Sequence, residues 1–256
     1  MTARFTPFVF VAIFAALLIS AAGSAAQRFQ DKSREYGVAP GGNTAAWGDV
    51  NGDGWPDICT DGRIRLNQKG KKFTEGPAAR SGIFGDYNNN GRLDFFCWKT
   101  HTLLENTGNG GFAKVSFPDL PARATQAASW GDFDGDGFLD LYVGGYEKWP
   151  MPSYPDVRLH NYPDAATGKR RFKITWRQSA KDIQGFKGRT RGIACCDFDE
   201  DGDLDIYVSN YRQRANLLWR NSGKGDFTEE AAALGIAGDP TYKHGYGHTI
   251  GSAWGD

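Results

Sequence analysis

The sequence predicts an all-β protein, a β-propeller built from four-stranded blades, and three observations lead to this prediction. A nine-residue pattern of the form D-x-[DN]-x-[DN]-G-x-x-D occurs four times. Each copy is followed by a segment that ends in asparagine and then by a phenylalanine. The residues directly after each copy are β-branched or aromatic and alternate as strands do. A unit repeated in this way buries its apolar face only against its neighbours, so the repeat defines the architecture.

The order of elements within one repeat follows from these marks. The pattern occupies Asp49–Asp57, Asp86–Asp94, Asp132–Asp140 and Asp197–Asp205, which we name loops one to four. The asparagines are Asn67, Asn106, Asn161 and Asn221, and the phenylalanines are Phe73, Phe112, Phe172 and Phe227. Each unit therefore reads strand, loop, strand, strand, turn and strand, which is one four-stranded blade.

The end of the sequence repeats the start of a unit. Ser252–Asp256 matches the residues Ala45–Asp49 that open loop one. A blade that stopped there would leave the edge of its neighbour unpaired. We therefore expect about four blades here and a truncated chain whose intact form has more.

Composition allows one large domain and excludes a general attraction to nucleic acid. The chain has 256 residues, 40% of them hydrophobic, and its formal net charge is zero. Glycine and aromatic residues are abundant, which suits many short strands and tight turns.

The first residues have the features of a targeting segment. Arg4 precedes the uncharged stretch Phe5–Ala26, and small residues at Ser24 and Ala26 suit cleavage before Gln27. We predict a signal peptide at residues 1–26 and a propeller domain at residues 27–256. An uncleaved membrane anchor is the alternative, because the uncharged run is nearly long enough to span a bilayer. Either reading places the domain in a secreted, periplasmic or cell-surface location.

Four cysteines occur in this disulfide-permissive setting. Cys59 and Cys97 follow loops one and two, and Cys195 and Cys196 are adjacent just before loop four. Neither arrangement has the spacing of a zinc site. We expect small buried side chains rather than disulfides, although the pairing stays open at this point.

The repeated loop is typical of a calcium site. Side chains at positions one, three, five and nine offer oxygen ligands, and the backbone carbonyl of position seven completes the set. The glycine at position six permits a sharp bend. The predicted ligands are Asp49, Asn51, Asp53, Trp55 and Asp57; Asp86, Asn88, Asn90, Arg92 and Asp94; Asp132, Asp134, Asp136, Phe138 and Asp140; and Asp197, Asp199, Asp201, Asp203 and Asp205.

The loop has two other possible interpretations. An EF-hand needs a glutamate at position twelve and flanking helices, whereas here position twelve is Thr60, Cys97, Val143 or Val208 and the flanks are strands. A metal-free turn rich in Asp, Asn and Gly is the second alternative. The number of carboxylates favours calcium most at loops three and four, then at loop one, and least at loop two.

Tryptophans and a long insertion complete the candidates. Trp47, Trp130 and Trp254 precede a loop in the same register, so we predict that they pack inside the protein. The insertion after Val143 carries Tyr146, Trp149 and Tyr154, whose rings could hold a sugar or a protein partner or could only cover the neighbouring blade. The stretch from Lys169 to Arg191 is basic, which suits either an anionic surface or glycan or an ordinary solvated face.

The repeats resemble FG-GAP (VCBS-type) repeats, which also form the calcium-loop blades of integrin α-subunit propellers. The segments Trp130–Gly137 and Asn221–Glu229 look most like the cartilage-acidic-protein (ASPIC/UnbV) group of secreted propellers. This resemblance implies a seven-bladed propeller, calcium at the loops, and extracellular adhesion or recognition.

We therefore expect a calcium-binding propeller that recognises an extracellular protein or glycan, with no nucleic-acid partner. Membrane attachment is expected only if the N-terminal segment is uncleaved. The alternative is a polysaccharide lyase or hydrolase with catalytic residues outside this sequence. No nucleophile elbow or Ser-His-Asp set is apparent, and most acids lie in the loops, so we expect a protein that is not an enzyme.

Overall fold

The architecture of this computed structural model is all-β. The residues it describes are 30–38, 44–60, 62–121, 124–147, 153–179, 188–212, 214–238 and 247–255. Residues Lys32–Asp256 form one compact unit, and the other unit, Met1–Asp31, contains the candidate targeting segment, which lies outside the described residues. None of the helical segments in the described ranges is long and apolar enough to cross a bilayer.

The strands form four sheets of four strands, arranged as the blades of a β-propeller. Blade one contains β1 (Ala45–Gly48), β2 (Asp57–Thr60), β3 (Arg63–Asn67) and β4 (Phe73–Ala78). Blade two contains β5 (Gly82–Gly85), β6 (Asp94–Cys97), β7 (Thr102–Gly108) and β8 (Gly111–Lys114). Blade three contains β9 (Thr125–Gly131), β10 (Asp140–Gly145), β11 (Val157–Pro163) and β12 (Arg170–Arg177). Blade four contains β13 (Thr190–Cys196), β14 (Asp205–Asn210), β15 (Leu217–Asn221) and β16 (Phe227–Glu229).

Each blade is an antiparallel meander in chain order. The first strand pairs with the second so that the residue before the loop faces position nine, as in the pairs Gly48↔Asp57 and Gly85↔Asp94. The innermost strands also contact one another from blade to blade: β1 contacts β5, β5 contacts β9, and β9 contacts β13. This confirms the predicted fold and the predicted order of elements.

The apolar core lies between blades. One cluster joins Val50 and Cys59 of blade one to Phe95 of blade two, and another joins Phe96 of blade two to Leu141 of blade three. The second strand of each blade is therefore covered on both faces. Its residues are hydrophobic and largely buried, as in β2 and β6, where every residue is buried.

The prediction that all three register tryptophans are packed inside was wrong for two of them. Trp130 is half-buried and lies against Phe96 of the preceding blade, with ring centroids 6.2 Å apart. Trp47 is 60% exposed and Trp254 is 41% exposed. For Trp47 the physical reason is that this position faces the preceding blade, and in the described chain no blade lies before blade one. Trp254 does lie against the preceding blade, with its ring 6.1 Å from that of Tyr207, but that contact covers only part of it.

The four cysteines are free thiols. Cys59 and Cys97 are buried in the same cluster between blades one and two. Burial raises the pKa of Cys59 to about 12, and the neighbouring Cys97 makes a smaller contribution in the same direction. Cys195 and Cys196 are half-buried. The structure thus bears out small apolar side chains at Cys59 and Cys97 rather than a disulfide.

Candidate metal centres in the repeated loops

Each loop connects the first and second strands of its blade, so all four loops lie at the same end of the blades. Position one follows the first strand directly, and position nine is the first residue of the second strand. Adjacent loops touch: Asn89 Nδ2 in loop two donates to Gly137 O in loop three at 2.7 Å. Every loop therefore has the same place in its blade.

The carboxylate at position one organises the backbone of each loop. Asp132 Oδ1 accepts the N–H of Asp136 at 3.1 Å, and its Oδ2 accepts the N–H of Gly137 at 2.8 Å. The equivalent pairs in the other loops are Asp49 with Asp53 and Gly54, Asp86 with Asn90 and Gly91, and Asp197 with Asp201 and Gly202. This clamp turns positions three and five toward the centre of the loop.

Two positions of the loop have left-handed backbone. The glycines at position six have φ between 79° at Gly91 and 96° at Gly202, as the sequence predicted. Position four is also left-handed, which the sequence reading missed. It is glycine in loops one and three but Asn89 in loop two (φ 55°) and Glu200 in loop four (φ 58°). Glutamate is an unfavourable residue for this conformation.

The aspartate at position nine is buried in every blade. Asp57, Asp94 and Asp205 are 0% exposed and Asp140 is 2% exposed. Burial raises the pKa of all four carboxyls, to about 7 for Asp94 and about 6 for Asp140. Neighbouring carboxylates raise these pKa values further, because like charges disfavour ionisation.

The repeated asparagine on the third strand forms a latch to the preceding blade. In blade two, Asn106 donates its side-chain N–H to Val50 O of loop one at 2.8 Å. Asn161 does the same to Tyr87 O of loop two at 2.7 Å, and Asn221 to Phe133 O of loop three at 2.8 Å. The backbone N–H of each asparagine is donated to the position-nine aspartate of its own loop. Blades two, three and four therefore each hold both their own loop and the loop before it.

Three carboxylates converge at loop three and again at loop four in the described structure. At loop three, carboxylate oxygens of Asp132, Asp134 and Asp136 lie within 4.8 Å of one another. At loop four, those of Asp197, Asp199 and Asp205 do so. These are the two loops that the carboxylate count favoured, and the asparagines of loops one and two stand in place of the missing carboxylates.

The residue before the latch asparagine lies beside the loop, and the sequence reading missed its role. His160 Nδ1 is 3.0 Å from Asp134 Oδ2 and 3.2 Å from Asp140 Oδ1. Arg220 forms an ion pair with Asp199 and lies 3.8 Å from Asp201. The corresponding residues are Leu66 in blade one and Glu105 in blade two. The signal was available, because this position varies in charge while the asparagine next to it does not.

The remaining predicted residues occupy position seven. Trp55, Arg92, Phe138 and Asp203 each donate a backbone N–H to the position-five side chain at 2.9–3.1 Å. Their side chains make contacts outside the loop's hydrogen-bond pattern. The Arg170 guanidinium covers the Phe138 ring at 3.5 Å, for example, and also contacts Asp136 at 3.3 Å.

The donor set fits a hard divalent cation. Carboxylate and amide oxygens at alternating positions are the ligands that calcium prefers. The buried position-nine carboxylates of Asp57, Asp94 and Asp205 accept backbone N–H groups from Val50, Tyr87 and Phe198. The carboxylates that converge at loops three and four repel one another unless a cation lies between them. The residues present would supply a cation with its ligands at these loops.

The aromatic candidates lie at the opposite end of the blades from the loops. Tyr146 is only 7% exposed, and the Arg191 guanidinium of blade four lies 4.9 Å from the centre of its ring, which agrees with the alternative that the ring covers the neighbouring blade. Tyr154 is half-buried, and its N–H bonds to Tyr146 O at 3.1 Å. Trp149 lies outside the described residues.

Comparison with known proteins agrees with this geometry. The profile of the FG-GAP-like repeat family matches residues 86–143, which contain loops two and three. Cartilage acidic protein 1 of Mus musculus and of Homo sapiens are each 25% identical over 173 residues, or 64% of this chain. The match covers 24% and 23% of those two proteins, so the chain spans about a quarter of their length.

A solved structure gives a weaker similarity. A lectin from Agrocybe aegerita, described as recognising non-reducing terminal N-acetylglucosamine, aligns with a TM-score of 0.44 and 20% identity. The alignment covers 71% of this chain and 49% of the lectin chain. A score this low carries no argument about fold or ligand.

The fold and the loops define a β-propeller with a hydrogen-bonded aspartate loop in each blade. The family match and the two relatives support its identification as an FG-GAP repeat β-propeller related to cartilage acidic protein 1.

Proposed function

We propose that this protein is an extracellular, calcium-dependent recognition module. The observation that carries the proposal is the convergence of three carboxylates within 4.8 Å at loop three and again at loop four. Such groups repel one another unless a cation neutralises them. The relation to FG-GAP repeats and to cartilage acidic protein 1 supports an adhesion or recognition role and an extracellular location.

Calcium has a structural role in this proposal. The ion would hold positions one, three and five of each loop, and the asparagine latch would pass that order to the next blade. An ion that binds only the folded chain stabilises it in proportion to the logarithm of its concentration. Recognition would then depend on calcium indirectly, through the rigidity of the blades.

The test is calorimetric calcium titration of the full-length protein together with its melting temperature in calcium and in chelator. We expect at least two tight sites, and we expect the chelator to lower the melting temperature by several degrees. Asp134→Ala should remove one tight site. Asn88→Ala, the same position in the loop with the fewest carboxylates, is the matched control and should leave the tight sites intact.

A melting curve that is identical in calcium and chelator would contradict the proposal. Equal calcium stoichiometry in the Asp134→Ala and Asn88→Ala proteins would contradict the ranking of the loops. Binding rather than catalysis is part of the proposal, because the carboxylates that could act as acid and base are held in the loops. Turnover of a polysaccharide by the purified protein would argue against that part.

A further inference from the structure

Two Arg-x-Arg segments meet at the end of blade four that lies away from the metal loops. Arg189 and Arg191 flank the start of β13, and Arg212 and Arg214 follow the end of β14. The antiparallel pairing of Thr190 with Asn210 brings these segments together. The seven residues of β13 separate them from loop four by about 20 Å at the usual rise per residue. Charge from the acidic loops is largely screened at that distance.

One buried acid organises half of this arginine cluster (Arg189, Arg191, Arg212 and Arg214). Glu147 has a side chain that is 7% exposed, and its Oε2 lies 2.7 Å from Arg189 Nε. Its other oxygen forms an ion pair with Arg212. Arg189 also donates to Arg212 O at 3.1 Å. Asp156, the nearby acid beneath Thr190, is fully buried and uses both oxygens in internal hydrogen bonds. Among the described residues, Glu147 thus pairs with two of the four arginines, Arg189 and Arg212.

The other half of the cluster is ordered without an acid. The Arg191 guanidinium lies over Tyr146 at 4.9 Å and over Tyr211 at 4.8 Å, and it donates to Tyr146 Oη at 3.2 Å. Its Nε is buried with no hydrogen-bond partner, and so is Nε of Arg214. Among the described residues, neither arginine has a carboxylate oxygen within 4.0 Å. Cation–π contact with two rings fixes the guanidinium of Arg191 while leaving donors unmatched.

We propose that this arginine cluster binds the sulfate or carboxylate groups of an acidic glycan. The inference rests on the proposed recognition function and names a ligand class for it. The Nε atoms of Arg191 and Arg214 are enclosed by the protein, so a ligand would meet the terminal guanidinium nitrogens, which bind anionic oxygens in pairs. A cluster of four arginines beside tyrosine hydroxyls matches one or two anionic groups on hydroxyl-bearing rings. A long nucleic acid is disfavoured, because the protein has no net charge and its opposite end is acidic.

The test measures binding of the full-length protein to heparin, hyaluronan and neutral dextran in saturating calcium. Heparin carries sulfate and carboxylate groups, hyaluronan carries carboxylate alone, and dextran carries neither. We expect binding to heparin, binding to hyaluronan only if carboxylate suffices, and none to dextran. The Arg191→Gln/Arg214→Gln protein should bind heparin about ten-fold or more weakly, with a smaller dependence on salt.

The matched control is Lys71→Gln/Lys72→Gln, which makes the same charge change in the β3–β4 turn at the loop end of blade one. It should change heparin affinity less than two-fold. Arg214→Gln alone serves if the double variant melts early, and it should weaken binding in the same direction. Equal loss in cluster and control variants, or tighter binding to duplex DNA or to phosphatidylserine vesicles than to heparin, would overturn the proposal. Binding of another extracellular ligand without any glycan binding would reject this inference and leave the recognition function standing.

Discussion

Single residues set the strength of each loop within a shared backbone. Positions one, six and nine have the same residue type and the same structural role in all four blades. Position four and the residue before the latch asparagine differ from blade to blade. Glu200 has, at position four, the left-handed backbone conformation that glycine has at this position in loops one and three. Arg220 pairs with a carboxylate that calcium would need. Loop four therefore has aspartate at all four side-chain ligand positions, but it also has a strained residue at position four and an arginine that competes with the ion for Asp199.

The first residue-scale prediction concerns Glu200. In saturating calcium, Glu200→Gly should raise the free energy of unfolding by about 0.5–1 kcal/mol, because glycine removes the steric cost of φ 58°. Urea denaturation measures it. Glu200→Gln keeps the strained backbone and removes only the charge, so it is the control. A gain of the same size in both variants would show that charge, rather than backbone conformation, limits loop four.

The second concerns Arg220. Replacing it with leucine, the residue of blade one at this register, should tighten calcium binding at loop four about ten-fold, since Asp199 loses a competing cation. Calcium titration calorimetry measures this affinity. The binding step that belongs to loop four is identified as the one that is lost in the Asp201→Asn protein. Arg177→Leu, an exposed arginine on β12, makes the same charge change elsewhere. Unchanged calcium affinity in Arg220→Leu would mean that the Arg220 guanidinium moves away from Asp199 without a free-energy cost when the ion binds.

At the scale of elements, the third strand of each blade is the connection between blades. Its asparagine bonds its own position-nine aspartate through the backbone and the preceding loop through the side chain. In blade one, which no described blade precedes, the described partner of Asn67 Nδ2 is Pro56 O of its own blade. The same side chain thus has a local role in one blade and an inter-blade role in three.

That difference can be measured by comparing Asn106→Ala with Asn67→Ala. Both side-chain oxygens accept a turn N–H, from Gly108 and Gly70, but only Asn106 reaches across to Val50 O. We expect Asn106→Ala to lower the free energy of unfolding by about 1–2 kcal/mol more than Asn67→Ala, because a buried carbonyl loses its donor. Chemical denaturation at fixed calcium provides the comparison. Equal losses would refute an inter-blade role.

Much of the architecture was predictable from the sequence, and what escaped depended on contacts between repeats. Strand order and the loop positions follow from local patterns of glycine, aspartate and alternation. The asparagine was visible as a repeat mark, but its bond to Val50 O requires knowing which blades are adjacent. Trp47 shares its register with Trp130 yet is exposed, since burial there depends on a neighbour rather than on the residue. Burial of Tyr146 depends likewise on Arg191, which is distant in sequence.

At the scale of the whole molecule, stability depends on the contacts between blades, and one of these contacts contains a carboxyl group that titrates. Asp156 between blades three and four is fully buried and accepts hydrogen bonds from Tyr142 Oη (2.8 Å) and Thr190 Oγ1 (2.9 Å). Burial raises its pKa to about 6, above its ordinary value of 3.8. The folded state therefore binds more protons than the unfolded state between these two values.

The pH prediction follows from that difference. The contribution of Asp156 to stability should be greatest near pH 4, should fall as the pH rises toward 6, and should then stay constant. Asp156→Asn should remove this slope, which amounts to about 2 kcal/mol. Denaturation between pH 4 and pH 8 in saturating calcium, which keeps the loop aspartates ionised, isolates the effect. Parallel stability profiles in the two proteins would contradict the assignment.

The direction of the asparagine latch has a consequence for how such chains change in length. Every described latch runs from a blade back to the loop before it, so each unit offers a carbonyl to its successor and an amide to its predecessor. This is head-to-tail matching, in which the inserted copy meets the same partners wherever it is placed. Gain or loss of one complete unit preserves every match, whereas loss of a single strand leaves a donor or an acceptor unpaired. We therefore expect related propellers to differ by whole blades, and duplication of a blade to be a tolerated route to a larger ring.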